Sequence, residues 1–312
     1  MRFGLILPNI APAPPDGSNL FDRVLAMAQT AEEAGFDTVW ATDHVMFAPD
    51  QATGRPTHIL ECFVALGALA AATRRVRLGS YVAGVPYRNP GLLAKMFTTL
   101  DVISHGRAIV GIGAAWHAEE FAAYGWPFGT TKERLEKLED AVHIIDKLMT
   151  EPPASHAGRH YAVANARNDP SPIQRPRPPI LIGGGGEKVT LRLVARYADA
   201  CNVSGDPAAV GHKFAVLRAH CAAVGRPYEA ITRTNDVSVL IARDEAELAA
   251  KRAGSTSFLN HPLVGTPETI VAGLREFAAI GSQEIVVEIV DDAPLDAIRL
   301  FGEAVIPVLA SV

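Results

Sequence analysis

The sequence predicts one domain, residues 1–312, folded as a (β/α)8 barrel. Short apolar runs alternate with segments whose apolar residues recur at helical spacing, and this alternation occurs eight times. The series shows no shift in composition, which favours a closed barrel over an open sheet. The length of 312 residues also fits, because such a barrel takes about 250 residues and more with insertions.

Each strand and helix is predicted from its apolar period and its end signals. The expected strands are 3–7, 38–41, 76–81, 107–112, 180–182, 200–203, 232–242 and 284–289. The expected helices cover 21–34, 61–72, 90–103, 131–149, 187–197, 207–224, 267–280 and 294–309. Asn89-Pro90 supplies an N-cap and a first-turn proline, and Thr130 with Glu133 forms a capping box.

Residues 151–179 interrupt the pattern before the fifth strand. They contain seven prolines and little periodicity. Because a strand follows at once, we interpret them as an inserted Pro-rich loop that crosses the mouth of the barrel, not as a linker between domains.

Composition narrows the classes of partner. The net charge is −5, with acidic and basic residues mixed, which argues against binding to nucleic acid or to a membrane surface. Three widely spaced cysteines, Cys62, Cys201 and Cys221, indicate a reducing compartment. The first residues form a strand pattern rather than a signal peptide, and no apolar run reaches the length of a membrane span. We therefore expect a cytoplasmic protein that acts on a small molecule.

Four glycines, Gly183 to Gly186, follow the fifth strand and precede a helical stripe. Backbone N–H groups can approach a phosphate closely where no side chain intervenes, and a helix N-terminus adds partial positive charge. Glu187 begins the expected helix, and the Thr190 hydroxyl can add a donor. The simpler alternative is an ordinary flexible turn. The spacing does not match a dinucleotide-binding fingerprint.

Polar and glycine clusters follow most of the predicted strands, at the end of the barrel where catalysis takes place. These clusters are Asn9, Asp43-His44, Ser80, Gly113 to His117, Gly183 to Gly186 and Ser204 to Asp206. A histidine titrates near neutral pH, so His44 is the best candidate for proton transfer. Asp43 would either orient His44 or hydrogen-bond the ring of a bound molecule. The alternative is an Asp-His pair that only caps a loop. His156 and His160 lack a third ligand, and we expect no metal site.

Three stretches together resemble a known family. They are Ala31 to His44, Val85 to Trp116 with its Pro86-Tyr87-Arg88-Asn89-Pro90 and Gly111-Ile112-Gly113 motifs, and Pro178 to Asn202. The chain is similar, nearly end to end, to the bacterial luciferase-like superfamily of flavin- and deazaflavin-dependent oxidoreductases. The third stretch is most similar to the branch that uses coenzyme F420.

The resemblance implies a barrel that assembles as a homodimer and holds an isoalloxazine or deazaflavin ring at its mouth. It places the cofactor phosphate on Gly183 to Gly186 and a non-prolyl cis peptide at Ser80-Tyr81 under the ring. It also implies that the cofactor is lined by Gly113, Ala114, Ala115 and Trp116. Members that use FMN carry an arginine near Ala114, and its absence here favours the deazaflavin. Members that act on a sugar phosphate carry a glutamate near Trp116, which this chain lacks.

Several functions remain open on the sequence. The first is hydride transfer between reduced coenzyme F420 and a small organic substrate, with His44 handling the proton. The second is an FMN-dependent monooxygenase that uses dioxygen and depends on a partner flavin reductase. The others are a non-catalytic flavin-binding barrel and an unrelated barrel enzyme that acts on a sugar phosphate.

Overall fold

A computed structural model of the chain describes residues 1–7, 10–11, 19–49, 57–254, 262–291 and 294–310. The strands are β1 (Arg2–Leu7), β2 (Ile10–Ala11), β3 (Thr38–Ala41), β4 (His58–Ile59), β5 (Arg77–Ser80), β6 (Ala83–Gly84), β7 (Ala108–Gly113), β8 (Ala154–Ala157), β9 (Ala162–Ala166), β10 (Ile180–Gly183), β11 (Ala200–Val203), β12 (Thr232–Ile241), β13 (Leu263–Gly265) and β14 (Glu284–Ile289). The helices are α1 (Leu20–Ala34), α2 (Cys62–Ala72), α3 (Pro90–Ile103), α4 (Ala118–Ala123), α5 (Thr131–Thr150), α6 (Thr190–Tyr197), α7 (Pro207–Val224), α8 (Glu245–Gly254), α9 (Pro267–Ala279), α10 (Pro294–Ala304) and α11 (Ile306–Leu309). Two 3₁₀ turns cover Val85–Tyr87 and Tyr228–Ala230.

The prediction of a (β/α)8 barrel is confirmed. The eight barrel strands, in sheet order, are β1, β3, β5, β7, β10, β11, β12 and β14, which is also their order in the chain. Such an order with helical connections is the arrangement that right-handed crossovers produce when a parallel sheet closes. Where the structure describes the chain, no helix has the length and apolar character that crossing a membrane requires.

Contacts between Cα atoms divide the chain into two compact units. The first unit comprises Met1–Leu7, Val24–Trp40 and Gly184–Val312. Within it, β14 lies between β1 and β12, and β12 also pairs with β11 and β13, always in parallel. Phe3 and Phe36 pack their rings on Phe301 at centroid distances of 5.3 and 5.4 Å, so that α10 covers β1.

The second unit comprises Pro8–Arg23 and Ala41–Gly183. Within it, β7 pairs in parallel with β5, β6 and β10. Every residue of β7 is buried, as expected for a strand that is covered on both faces. The predicted Asn89 cap of α3 and the Thr130-Glu133 capping box of α5 are both present. The single-domain assignment stays a prediction.

The structure corrects several predicted elements. The fifth helix begins at Thr190 instead of Glu187, because residues 187–189 form a turn. The last helix is two helices, α10 and α11, separated by Val305. Helices α4 and α8 and strand β13 were not predicted, since each is too short or too polar to show a clear period. Asn9 lies outside the described residues.

The insertion differs most from expectation. Residues 154–166 form an antiparallel hairpin, β8 and β9, which packs on α5. Beyond the hairpin, Asn168 Nδ2 donates to Thr98 Oγ1 at 2.8 Å, and Gln174 Nε2 donates to Asp101 Oδ1 at 2.7 Å. The segment therefore contains a hairpin that was not predicted and packs on the outer helices α3 and α5, while its course across the barrel mouth stays a prediction. Alternation of small and polar residues in 154–157 and 162–166 gave too weak a strand signal to outweigh the surrounding prolines.

Asp140 on α5 anchors the turn of this hairpin. Its Oδ2 accepts hydrogen bonds from the backbone N–H groups of His160 at 2.6 Å and Tyr161 at 3.1 Å. A Cβ on Gly158 would overlap the same carboxylate, so this position requires glycine. Burial would raise the pKa of Asp140, but the backbone donors outweigh it and hold the pKa below its usual value.

We predict that Asp140→Ala lowers the free energy of unfolding by about 1–3 kcal/mol, because it leaves two hairpin N–H groups without the charged acceptor that they bond in the wild type. Urea unfolding followed by circular dichroism measures the change. The control is Asp169→Ala, which removes an exposed carboxylate paired with exposed Arg167 in the same segment and should cost under about 1 kcal/mol.

The same carboxylate sets a pH dependence. A depressed folded-state pKa stabilises the fold above the unfolded-state pKa of about 3.9, and this contribution disappears as the pH falls through the folded-state value. The difference between wild type and Asp140→Ala should therefore be full at neutral pH and shrink below about pH 4. A difference that grows on acidification would contradict the anchoring role.

Candidate active site

The second unit collects four chain segments around Asp43 and His44. These two residues follow the end of β3, and Ser80 ends β5. Gly113 ends β7, and α4 begins five residues later at Ala118. Because carboxyl ends of parallel strands share one end of a barrel, the polar residues predicted from the sequence meet at this end.

Asp43 is held by an ion pair. Its two oxygens accept from the guanidinium of Arg88 at 2.7 and 2.9 Å, and the N–H of Gly84 donates to it at 3.1 Å. Arg88 also bonds Glu61 at 2.6 Å. Burial lowers the pKa of Arg88, but its hydrogen bonds and ion pairs with Asp43 and Glu61 together outweigh burial and raise the pKa above its usual value, so the guanidinium stays charged. Asp43 therefore fixes the loop after β3 to the segment that follows β6.

His44 is oriented by a residue that the sequence analysis did not identify. Its Nδ1 lies 3.0 Å from Oε1 of Glu120, the third residue of α4. Glu120 is fully buried, and its Oε2 accepts the N–H of Val45 at 3.0 Å. The expectation that Asp43 orients His44 is thus wrong: Arg88 and Gly84 bond Asp43, and Glu120 bonds His44. The Nε2 side of the imidazole is directed away from this hydrogen bond.

Tyr87 completes the contacts of Glu120. Its hydroxyl donates a hydrogen bond to Oε1, the oxygen that also faces His44. Burial, and then the bond to Glu120, raise the pKa of Tyr87 well above its usual value, so the phenol keeps its proton. Tyr87 and Arg88 are neighbours in the chain, so a single turn after β6 supports both His44 and Asp43.

An aromatic cluster surrounds the His44 ring. Phe47 lies 4.6 Å from it and Trp116 lies 5.4 Å from it, between ring centroids. His117 stacks on Phe47 at 4.8 Å. Trp116 is 65% exposed, an unusual exposure for the largest aromatic side chain, while the His44 side chain is 14% exposed. The cluster places exposed aromatic surface beside the imidazole of His44.

Two predicted cofactor residues have a packing reason to be glycine. A Cβ on Gly113 would lie 2.7 Å from a methyl group of Val82, and a Cβ on Gly183 would lie 3.0 Å from both of its methyl groups. Val82 thus packs over the ends of β7 and β10. Ala114 and Ala115 follow Gly113 and are half-buried, and Ala115 has a left-handed φ of 61°.

The cis peptide lies one bond later than predicted. It joins Tyr81 to Val82, and Ser80-Tyr81 is not among the cis bonds of the described chain. Ser80 is buried, its hydroxyl donates to the carbonyl of Gly111 at 2.6 Å, and the N–H of Tyr81 donates to Ala41 at 2.7 Å. The peptide between them therefore still belongs to the strand ladder, and the chain departs from it only after Tyr81.

The first unit contains the glycine loop, residues Gly184 to Gly186. Gly184 has a φ of 120°, which L-residues rarely adopt, and its N–H donates to Asn202 at 2.9 Å. A Cβ on Gly186 would lie 2.7 Å from Oγ1 of Thr190, so the Thr190 hydroxyl lies against the loop. Among the hydrogen bonds of the described residues, none uses the N–H of Gly185 or Gly186. The loop fits an anion such as a phosphate.

Glu187 is engaged within the first unit. Its carboxylate bonds Lys213 at 2.5 Å and His212 at 3.2 Å, and its carbonyl bonds Nε2 of His220 at 2.7 Å. The hydrogen bond from Lys213 lowers the pKa of Glu187. These contacts tie the turn at residues 187–189 to α7 and account for the late start of α6.

Sequence reasoning missed Glu120, Tyr87, Arg88 and Glu61 as site residues. Tyr87 and Arg88 lie in a stretch used for the family resemblance, but no role was assigned to them. Glu120 belongs to a helix of six residues, too short for its buried face to show in the pattern. The available signal was a glutamate directly before Phe121 in a polar segment that follows a barrel strand.

The chain belongs to the luciferase-like monooxygenase family, whose sequence profile it matches over residues 1–262. The resemblance read from the sequence is thereby confirmed. Membership of this family excludes the alternative of a barrel enzyme from an unrelated family.

Individual relatives differ in the cofactor that their names state. The F420-dependent glucose-6-phosphate dehydrogenase of Amycolatopsis mediterranei is 33% identical over 172 residues, which are 55% of this chain and 48% of that protein. The chain thus spans about half the length of this curated relative. The coenzyme F420-dependent tetrahydromethanopterin reductase of Methanopyrus kandleri has a TM-score of 0.79 at 20% identity, over 98% of each chain. The oxygenating constituent of 3,6-diketocamphane monooxygenase of Pseudomonas putida, in complex with FMN, has a TM-score of 0.77 at 20% identity, again over 98% of each chain. These two structures show the shared fold.

We predict that Gly185→Val weakens binding of the deazaflavin coenzyme, or of FMN, far more than it weakens the fold. Among the described residues, a Cβ at Gly185 meets Lys213, with Cε at 3.5 Å and Cδ at 3.8 Å. These are ordinary contacts, so the fold tolerates a side chain where a bound anion would not. Fluorescence titration measures affinity, and thermal unfolding measures stability. The matched control is Gly67→Val in α2, where a Cβ meets nothing within 4 Å. Equal loss of stability with unchanged affinity would mean that the glycines form only a turn.

Proposed function

We propose that the protein is an oxidoreductase that transfers hydride between reduced deazaflavin coenzyme F420 and a small organic substrate with an electron-poor C=C, C=N or C=O bond. The observation that supports it best is the His44 imidazole, held on its Nδ1 side and bordered by aromatic rings, at the carboxyl end of a barrel strand. Relatives named for F420 dependence support the cofactor.

The residues divide into binding and proton-handling groups. The amides of Gly185 and Gly186 with the Thr190 hydroxyl would hold the phosphate of the coenzyme, beside the remaining predicted residues of that loop, Gly183, Gly184 and Glu187. Ser80, Tyr81, Gly113, Ala114, Ala115 and Trp116 would line the rest of the coenzyme. Since the Ser80 hydroxyl already bonds Gly111, its contribution would be through the backbone.

Proton handling falls to His44. When bound, the reduced deazaflavin supplies a hydride, reacts poorly with dioxygen and so acts as a two-electron carrier. Nε2 of His44 in its imidazolium form would deliver a proton to the substrate atom that does not receive the hydride, which leaves the neutral ring; in the reverse direction the neutral Nε2 would accept that proton. Trp116 and Phe47 exclude water from the imidazole, which favours transfer to the substrate over exchange with solvent. Asp43 acts on this step only by fixing the loop that carries His44.

A second candidate is an FMN-dependent monooxygenase that uses dioxygen and receives reduced flavin from a partner reductase. The FMN complex of a structural neighbour favours it. Against it stands Ala114, where the resemblance leads us to expect an arginine that clamps the FMN phosphate. For either cofactor we propose a homodimer.

We predict that His44→Ala lowers turnover by about 10²–10⁴-fold, the usual effect of losing a general acid or base, while coenzyme affinity changes little. Turnover is followed by the absorbance of the coenzyme with a panel of C=C, C=N and C=O acceptors. The control is His105→Asn, an exposed histidine with a φ of 56°, a conformation that asparagine tolerates. Loss of coenzyme binding in His44→Ala would make His44 a binding residue instead.

A further inference from the structure

We propose that Glu120 is a positioning residue that fixes the proton of neutral His44 on Nδ1, and so makes Nε2 the atom that exchanges a proton with the substrate. This inference rests on the proposed role of His44. Glu120 touches neither substrate nor coenzyme in this account and acts only through the imidazole.

The contacts of Glu120 form a closed set. The carboxylate has no solvent exposure, and three groups direct a polar atom at it: Nδ1 of His44 and the Tyr87 hydroxyl at Oε1, and the Val45 N–H at Oε2. A buried carboxylate requires donors to replace the water it has lost, and the described residues supply the Val45 N–H and the Tyr87 hydroxyl. Val45 is the residue after His44, so the same carboxylate fixes both the ring and its backbone.

The hydrogen-bond donors around Glu120 decide the tautomer of His44. A peptide N–H can only donate, so Val45 commits Oε2 as an acceptor. The Tyr87 phenol keeps its proton and donates to Oε1. As a carboxylate, Glu120 has no hydrogen to donate, so its remaining neighbour, Nδ1 of His44, must donate to it. The neutral imidazole then carries its hydrogen on Nδ1 and a lone pair on Nε2.

A glutamine at position 120 would reverse this arrangement. Its carbonyl oxygen would accept the Val45 N–H at the Oε2 position, which places the amide NH₂ at the Oε1 position. That NH₂ donates to Nδ1 of His44, and the imidazole must move its hydrogen to Nε2. Glu120→Gln thus keeps size and shape and changes the tautomer, an effect that a purely structural role would not produce.

The test is a tautomer measurement on the ligand-free, full-length protein. Histidine is labelled with ¹⁵N, spectra are recorded at about pH 8.5, where imidazoles are neutral, and the His44 signals are assigned by their loss in His44→Asn. We expect a protonated Nδ1 and an unprotonated Nε2 in the wild type, and the opposite pattern in Glu120→Gln. A wild type protonated on Nε2, or the same tautomer in both proteins, overturns the proposal.

A further variant keeps the test interpretable. Tyr87→Phe removes one donor but leaves the carboxylate and should keep the wild-type tautomer. If Glu120→Gln fails to fold, the wild-type spectrum still decides: a neutral His44 that is protonated on Nε2 overturns the proposal. Glu120→Gln should also lower turnover by about 10²-fold or more with little change in coenzyme affinity.

The readouts separate this proposal from the proposed function. If the tautomer behaves as expected but His44→Ala leaves turnover intact, the positioning role stands and the catalytic role of His44 fails. If the tautomer does not respond to Glu120→Gln, the positioning role fails whichever cofactor the protein binds.

Discussion

The buried carboxylate of Glu120 is the constraint on which the candidate site depends. A charge without solvent contact must be compensated by donors. The chain supplies them to Glu120, on the short helix α4, from two other segments, the loop after β3 and the turn after β6. Meeting this requirement brings His44, Tyr87 and the α4 segment together. The orientation of the imidazole is therefore a consequence of satisfying the buried charge of Glu120. The adjacent rings of Phe47 and Trp116 form no hydrogen bond to that carboxylate in the described structure, and Trp116 remains exposed.

A second buried carboxylate, Asp43, directly precedes His44 in the chain and restrains the same loop. Asp43 accepts two hydrogen bonds from Arg88. Tyr87, the residue before Arg88, donates to Glu120, and Glu120 in turn contacts His44, the residue after Asp43. Each pair restrains the other through the peptide bonds between them. Loss of Arg88 would leave the buried charge of Asp43 without its ion-pair partner. It would also release the turn that carries Tyr87, so its effect on the His44 ring would be indirect.

The barrel could be predicted from the sequence because its strands and long helices repeat a strong local pattern, as in β7 with six buried residues and α7 with the predicted bounds. His44 and the glycine loop were also predictable, since both follow barrel strands. The hairpin of residues 154–166 was not, because its stability comes from Asp140 and the outer helices, which are distant in the chain. Glu120 was missed for the same reason: its role is defined by partners 76 and 33 positions away, and no local pattern records them.

Cofactor identity tests the central claim most directly. The purified protein would be titrated anaerobically with coenzyme F420 and with FMN, each oxidised and reduced, and followed by fluorescence. The account predicts that the deazaflavin binds more tightly than FMN by about tenfold or more, or about 1.4 kcal/mol, in at least one redox state. Tight binding of FMN with no affinity for the deazaflavin, accompanied by oxygen consumption when reduced flavin is supplied, would contradict it and establish the monooxygenase.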